Sequence, residues 1–326
     1  MAHEDAAIGL AKQIQGKGLP PLLVREFRDC KLKNDVIAQG VTIRVMQWNM
    51  LAQGLSKGDF VLCPEEALNL ENRRLRIIEE ITRIGPGILC MEECDQFEYL
   101  KDNLAKFGYD GHFLPKTKSP CLQMDPNWGP DGVAIFYLKD KFEIVDDTKH
   151  IKLRNADKEV TDQVAMAAKF KIKTKPDVEF LVAVTHFKAK PGFEELRLAQ
   201  AISLLNDLSE IVGNMPVVIC GDFNDTHDQL FYQEMTSSSL NLASAYTFAT
   251  EKGSEPEYTT WKVRGGSKGN SDVCRTIDYI WIRKDKFKVN LLLSIPKDRE
   301  IGKGRLPCMA YPSDHFAIAC DIQLIQ

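Results

Sequence analysis

Apolar and β-branched residues run through this chain in short bursts divided by polar turns. The bursts at Ile43–Trp48, Gly87–Met91, Gly132–Leu138, Ala165–Ile172, Phe180–Phe187, Val217–Cys220, Thr276–Ile282, Val289–Leu293 and His315–Ile322 read as strands. Several are apolar on both faces, as in sheets covered on both sides. Two segments change period. Pro64–Ile84 opens on Pro64, Glu65 and Glu66, a first turn suited to the helix dipole, and repeats Leu75, Ile78 and Ile81 at helical spacing. Phe193–Val212 sets Leu196, Ala199, Ile202, Leu205, Leu208 and Val212 on one helix face. A shorter helix is expected after Cys94.

Many strands with few helices predict an α/β protein with two stacked sheets flanked by helices. A doubly wound nucleotide-binding fold is the competitor, but no Gly-x-Gly-x-x-Gly or Gly-x-x-x-x-Gly-Lys-Ser/Thr loop occurs. Residues 1–40 are polar and weakly patterned, with Gly16, Gly18, Pro20 and Pro21, and read as a loosely packed lead-in whose Leu22 to Phe27 dock on the body. Residues 41–326 contain no linker, repeat or low-complexity block long enough to split the chain, so a single domain is expected there.

Composition narrows the picture little. The 326 residues are 44% hydrophobic and 27% charged, with a formal net charge of -4. That balance disfavours a grip on long nucleic acid. Nine cysteines include no Cys-x-x-Cys, and several sit in apolar runs, so reduced thiols and an intracellular setting are expected. No run approaches the roughly 20 apolar residues of a membrane span. The expected location is cytoplasmic, with a mitochondrial form if a longer isoform carries a transit peptide, and the expected state is a monomer.

The chemistry lies where strands end. Gly221-Asp222-Phe223-Asn224 follows the apolar run Pro216–Cys220, and Gly221 there permits a tight exit. If the chain stays extended, Asp222 and Asn224 point the same way, one a metal ligand or proton acceptor, the other a neutral donor. Asn49 closes Ile43–Trp48. Gly87–Met91 runs into Glu92, Glu93, Cys94 and Asp95, where acidic groups at a core edge need a positive partner. By alternation Glu93 and Asp95 share a face and Glu92 turns away. His186, Lys188 and Lys190 likewise share one face and read as a phosphate cradle. Asp278 lies inside an aromatic, β-branched strand and needs a dedicated partner, which His315 in Ser313-Asp314-His315 can supply.

At Trp48-Asn49, Glu93, Thr185-His186, Gly221–Asn224, Ile277-Asp278-Tyr279 and Ser313–His315 the chain resembles the exonuclease–endonuclease–phosphatase superfamily of Mg²⁺-dependent phosphoesterases. It is most similar to the deadenylase-like branch, through Arg44–Asn49, Phe113–Lys116, Gly129–Gly132, Tyr258–Arg264 and Leu306-Pro307. The resemblance implies an α/β fold in the form of a four-layer sandwich, two central, mixed but largely antiparallel sheets flanked by helices, with the site at one end of their interface. It also implies Mg²⁺ as cofactor, held by Glu93 with Asn49 directly or through water. It implies NADP(H) as a small dinucleotide substrate that loses its 2′-phosphate. Asp222 is then the proton acceptor and Asn224 an oxyanion donor. Asp278 orients His315, which stabilises the oxyanion or shuttles a proton. Asp314 holds a second metal or braces His315. His186, Lys188 and Lys190 grip phosphate, and Lys116 and Arg264 reach the rest of the nucleotide. Glu92 and Lys190 depart from the Gln and Arg that relatives often carry there. A poly(A) 3′-exoribonuclease shares every catalytic residue and is the alternative; a catalytically dead binding module is the third reading.

Overall fold

The computed structural model describes residues 2–30, 40–56, 60–266 and 269–325. Its longer helices are α1 (Ala2–Gly16), α2 (Leu70–Ile84), α3 (Phe97–Leu104), α4 (Glu194–Val212) and α5 (Leu230–Ser237). Two mixed sheets of seven strands stack face to face, and a two-stranded ribbon, Thr260–Arg264 with Ser271–Arg275, stands apart. In space the first sheet runs Phe27–Asp29, Phe287–Leu293, Ile318–Leu324, Thr42–Asn49, Ile88–Glu92, Gly132–Leu138, Tyr109–Pro115. Along the second the order is Leu242–Ser244, Asp278–Arg283, Val217–Asp222, Lys175–His186, Val160–Ile172 and Phe142–Ile144, with Lys149–Arg154 also on Val160–Ile172.

Three apolar layers hold four structural layers together. Val45, Cys90, Val184, Cys220 and Ile280 belong to the core between the sheets. The alternate residues Met46, Leu89 and Met91 pack under Ile78 and Ile81 of α2 and Leu100 of α3. Ala183 and Ile219 pack under Leu204 and Leu208 of α4. Period two on each strand therefore feeds two different cores. Among the described residues no helix is long and apolar enough to cross a membrane.

Two parallel pairings fix where chemistry can gather. Thr42–Asn49 reaches Ile88–Glu92 through α2, setting Asn49 opposite Glu92. Lys175–His186 reaches Val217–Asp222 through α4, setting His186 opposite Asp222, which also faces Asp278. Parallel neighbours need such crossovers, and they bring strand C-termini to the same edge.

The structure redraws several elements. Helix α2 starts at Leu70 rather than Pro64, because the Asn69 side chain accepts from the backbone N–H of Glu71 and Asn72 and caps it. Glu65–Leu68 forms a separate 3₁₀ turn, and Gly85 ends α2 at φ 63°. On α4 the buried stripe is Arg197, Ala201, Leu204, Leu205, Leu208 and Val212, while Ile202 is exposed. Arg197 takes a core position because it pairs with Asp225 at 2.8 Å and donates to the carbonyls of Lys188 and Lys190. Gly221 lies within its strand, and its need is close packing: a Cβ there would sit 2.5 Å from the Thr185 carbonyl oxygen.

The segment read as a loosely packed lead-in carries α1 against α2, an edge strand at Phe27–Asp29, and the buried Arg25. Arg25 donates to Glu80 at 2.6 Å and to the Ala317 carbonyl at 2.7 Å. Residues 31–39 lie outside the described residues.

Candidate active site

The inter-sheet columns that are apolar through most of the core become polar at one end. Following Val45, Cys90, Val184, Cys220 and Ile280 to that end meets Gln47 and Asn49, Glu92, His186, Asp222 and Asp278. All six are buried. Six buried polar groups are costly unless each is partnered.

Asp278 is the most heavily bonded. Its Oδ1 and Oδ2 lie 3.1 and 3.0 Å from His315 Nδ1, Oδ1 accepts from Gln47 Nε2 at 3.3 Å, and Oδ2 accepts from the Thr259 hydroxyl. Nδ1 therefore carries a proton, and His315 turns Nε2 toward Asp222 Oδ2 at 3.8 Å. Burial pulls the His315 pKa down, but Asp278, Asp314 and Asp222 outweigh it and raise it to about 9. Asp222 accepts from Asn49 Nδ2 at 3.0 Å through Oδ2 and from the Asn224 N–H at 2.9 Å through Oδ1. Burial, reinforced by Asp278, pushes its carboxyl up to about 6.

His186 Nε2 lies 3.6 Å from Asp222 Oδ2, and its Nδ1 faces the Lys116 ammonium at 3.2 Å. Burial, then Lys116, His315 and Lys262, hold the His186 pKa well below the ordinary value, so the ring is neutral. Its Nδ1 accepts from Lys116 and its Nε2–H points into the site. Lys116 is fixed by Asp131 at 2.7 Å. Across the site Lys262 donates to Asp314 Oδ2 at 2.5 Å and stands 3.2 Å from His315 Nε2. Arg264 lies 3.4 Å from the same Asp314 oxygen and 3.7 Å from the Phe60 ring centre. Burial raises the Asp314 carboxyl, but Lys262, His315 and Arg264 prevail and keep it ionised.

The acidic turn departs from strand alternation. The strand ends at Glu92, and Glu93 adopts φ 53°. Glu92 stays in the inter-sheet column, where Gln47 Nε2 donates to it at 2.7 Å and burial, then Asp278 and Asp222, raise its pKa well above the ordinary value. Glu93 reaches the site only through its left-handed backbone, taking Asn49 Nδ2 at 3.1 Å and the Ala52 N–H at 3.0 Å. Asp95 is turned elsewhere, onto the Gly54 N–H at 3.0 Å.

Two more expectations need correction, and one residue must be added. The strand carrying His186 ends there, so Lys188 and Lys190 do not share its face. Lys188 sets its ammonium 5.0 Å from the Phe193 ring centre, and Lys190 is exposed at φ 81°. Asn224, at φ 54°, does not continue the alternation from Asp222; its amide donates to the Phe187 carbonyl at 3.1 Å. Lys262 went unnoticed in the sequence, although it lies two residues before Arg264 in a strand and so shares its face.

The donor set fits a hard divalent cation. Asp222, Asp278 and His315 gather within 4.8 Å of one another, but an imidazole protonated at both nitrogens has no lone pair to offer, so the oxygen donors are the carboxylates, with Glu93 one Asn49 amide away from Asp222. Crowded carboxylates of this kind are relieved by a cation that prefers oxygen. Asn49 Oδ1 accepts from the Leu51 N–H at 3.0 Å, so the amide presents its nitrogen to the carboxylates. That orientation matches contact with a metal through water rather than directly.

A buried Asp–His pair facing a second Asp, with cations on both flanks and oxygen donors for a metal, is the equipment of a metal-dependent hydrolase acting on phosphate esters. Residues 46–315 match the Endonuclease/Exonuclease/phosphatase family, and the chain belongs to it. Its sequence is 42% identical to Nocturnin of Xenopus laevis over 315 residues, covering 95% of this chain and 79% of that protein. Human Nocturnin is 43% identical over 314 residues, covering 94% and 70%. The human Nocturnin catalytic domain, solved with bound sulfate anion, matches with a TM-score of 0.77 at 37% identity, over 94% of this chain and 100% of that one. ANGEL2, described as a 2′,3′-cyclic phosphatase, shares the fold at a TM-score of 0.74 and 20% identity, over 92% of this chain and 99% of that one.

Proposed function

We propose that this hydrolase removes the 2′-phosphate of NADP⁺ and NADPH, giving NAD⁺ and NADH. The observation that carries the reading is the compactness of its cations: Lys116 sits at His186, and Lys262 and Arg264 sit at Asp314. Charges gathered on two sides of one buried site suit the few phosphates of a dinucleotide. Processive binding of poly(A) calls for a longer basic track with stacked aromatic platforms. The similar human Nocturnin catalytic domain was solved with a bound sulfate anion, a mimic of a single phosphate group.

Glu93, with Asn49 behind a water, would hold Mg²⁺, which when bound neutralises phosphate charge and orients the ester for in-line attack. Asp222 accepts the proton of the attacking water, a task suited to a carboxylate raised to about 6. His315, held by Asp278, presents a protonated Nε2 to the phosphoryl oxygens. His186 donates from Nε2, with its tautomer set by Lys116. Lys262 and Arg264 add charge on the Asp314 side.

Purified protein assayed with NADPH, NADP⁺ and oligo(A), each with Mg²⁺ and with chelator, tests the reading. Phosphate release from both dinucleotides, abolished by chelator, with oligo(A) left intact, is expected. Shortening of oligo(A) at a comparable rate, or no phosphate from NADPH, would hand the assignment to the exoribonuclease alternative.

A further inference from the structure

Arg73, in the first turn of α2, is 2% exposed, and among the described residues its guanidinium is met by uncharged oxygens alone. Nε donates to the Pro312 carbonyl at 2.8 Å and Nη1 to Gln53 Oε1 at 2.6 Å. Nη2 donates to the Met50 carbonyl at 2.7 Å and to that of Leu51. A buried cation without a carboxylate beside it is costly, so ion pairing does not account for this one. Its acceptors do. They all lie in two turns, residues 50–53 directly after Asn49 and Pro312 directly before Ser313.

Each turn governs groups of the site. In the first, the Leu51 N–H donates to Asn49 Oδ1 at 3.0 Å and the Ala52 N–H to Glu93 Oε2 at 3.0 Å. The second delivers Asp314 and His315, and the Ser313 hydroxyl donates back to the Asn49 carbonyl at 2.6 Å. Arg73 closes the same junction from α2. A planar guanidinium suits the task, because its donors are fixed relative to one another and so fix the carbonyls they meet. Burial pulls the Arg73 pKa down, and Asp95, Asp314 and Glu93 oppose it, so the charge also faces the acidic end of the site.

We propose that Arg73 is a positioning residue for the hydrolysis: its guanidinium holds the turn that orients Asn49 and Glu93 in register with the turn that delivers Asp314 and His315. The inference rests on the metal-dependent phosphoester reading of the site and not on the choice between dinucleotide and RNA.

The test separates positioning from bulk stability. Arg73→Lys keeps the charge and loses the fork. Its control is Leu208→Ala, which opens a cavity in the core under α4 and touches neither turn. Both are assayed with NADPH well below their unfolding midpoints and titrated with Mn²⁺ by calorimetry in the absence of substrate. Arg73→Lys should lower kcat about a hundredfold, weaken Mn²⁺ binding about tenfold and change KM less than about threefold. KM is spared because Lys116 hangs from Asp131, on neither turn. Leu208→Ala should lower Tm and leave kcat and Mn²⁺ affinity at the parent values. Gln53→Met strips one acceptor from the fork without altering α2, should show the Arg73→Lys pattern in smaller measure, and decides the matter if Arg73→Lys does not fold. Parent-like kcat and Mn²⁺ affinity in both fork variants overturn the proposal. An equal fall of kcat in Leu208→Ala overturns it too, since Arg73 would then serve stability alone. If the parent chain releases no phosphate from NADPH, the 2′-phosphatase reading falls, and the Mn²⁺ titrations, which need no substrate, still decide the role of Arg73.

Discussion

Asp278 meets the His315 ring with both carboxylate oxygens, 3.1 and 3.0 Å from Nδ1. The two residues come from different sheets' ends of the chain, yet each is held on its far side. Asp278 is tied to Gln47 and Thr259, while the Ser313 hydroxyl accepts from the His315 N–H at 3.1 Å and donates to the Asn49 carbonyl at 2.6 Å. The pair sets the imidazole's tautomer and supports its charged form.

Because Asp278 acts through His315, the two should behave as one unit. Asp278→Asn and His315→Ala should each lower kcat/KM by decades, and the double variant should be little worse than His315→Ala alone. Rate losses that multiply would show the two to be uncoupled.

Glu93→Gln preserves volume and removes the carboxylate's charge. It should weaken divalent-metal binding, read by Mn²⁺ titration calorimetry, and cost about three decades or more in metal-dependent rate. Retention of more than about a tenth of the parent activity would discard Glu93 as the principal metal ligand.

Two groups set the expected pH profile. Asp222 works ionised, so the rate should fall as pH drops through about 6. His315 works protonated, so the rate should fall again as pH rises through about 9. The result is a bell in kcat/KM whose two breaks belong to the interacting pair. Bound metal favours the ionised carboxyl and moves the acid limb lower, so the profile is best taken at several Mg²⁺ concentrations. A flat profile between pH 5 and 7 at limiting metal would leave Asp222 without the proton-accepting role.

What the sequence made legible follows from what period two can signal. Gly132–Leu138 is read at its observed bounds because both faces are apolar until the last residues. Tyr109–Pro115 was invisible: it is an edge strand containing Asp110, Gly111 and Pro115, and tertiary pairing with Gly132–Leu138 decides it. The carboxylates Asp222 and Asp278 could be named because each closes or opens an apolar run. Alternation failed at Glu93, Asn224 and Lys190, all of which take positive φ just past a strand end. Lys262 looked like a solvated strand residue, since Asp314 and His315 arrive beside it only in the folded chain.

Arg25 and Glu80 test whether the N-terminal segment is part of the body. Their side chains are 1% and 0% exposed and 2.6 Å apart. Arg25→Met should lower unfolding free energy by about 2–3 kcal/mol, since Glu80 loses this partner while keeping Arg83 at 2.8 Å and the Tyr311 hydroxyl. The urea midpoint at unchanged m-value reports this. A shift worth under about 1 kcal/mol would return the segment to the status of a loosely packed lead-in.

Lys262 carries the sharpest prediction, because its ammonium stands 3.2 Å from His315 Nε2. A lysine and an imidazolium that close repel each other; Asp314, which accepts from Lys262 at 2.5 Å, offsets part of that repulsion, and a phosphoryl oxygen touching both cations would offset more. Lys262→Met should lower kcat/KM about a hundredfold, with Lys262→Arg recovering part of the loss. The sign of the accompanying pH change is fixed. Lys262 opposes protonation of His315, so its removal should move the alkaline break of the rate profile to higher pH. A loss of rate with the alkaline limb unmoved, or moved downward, would mean that Lys262 serves Asp314 alone and does not share an anion with His315.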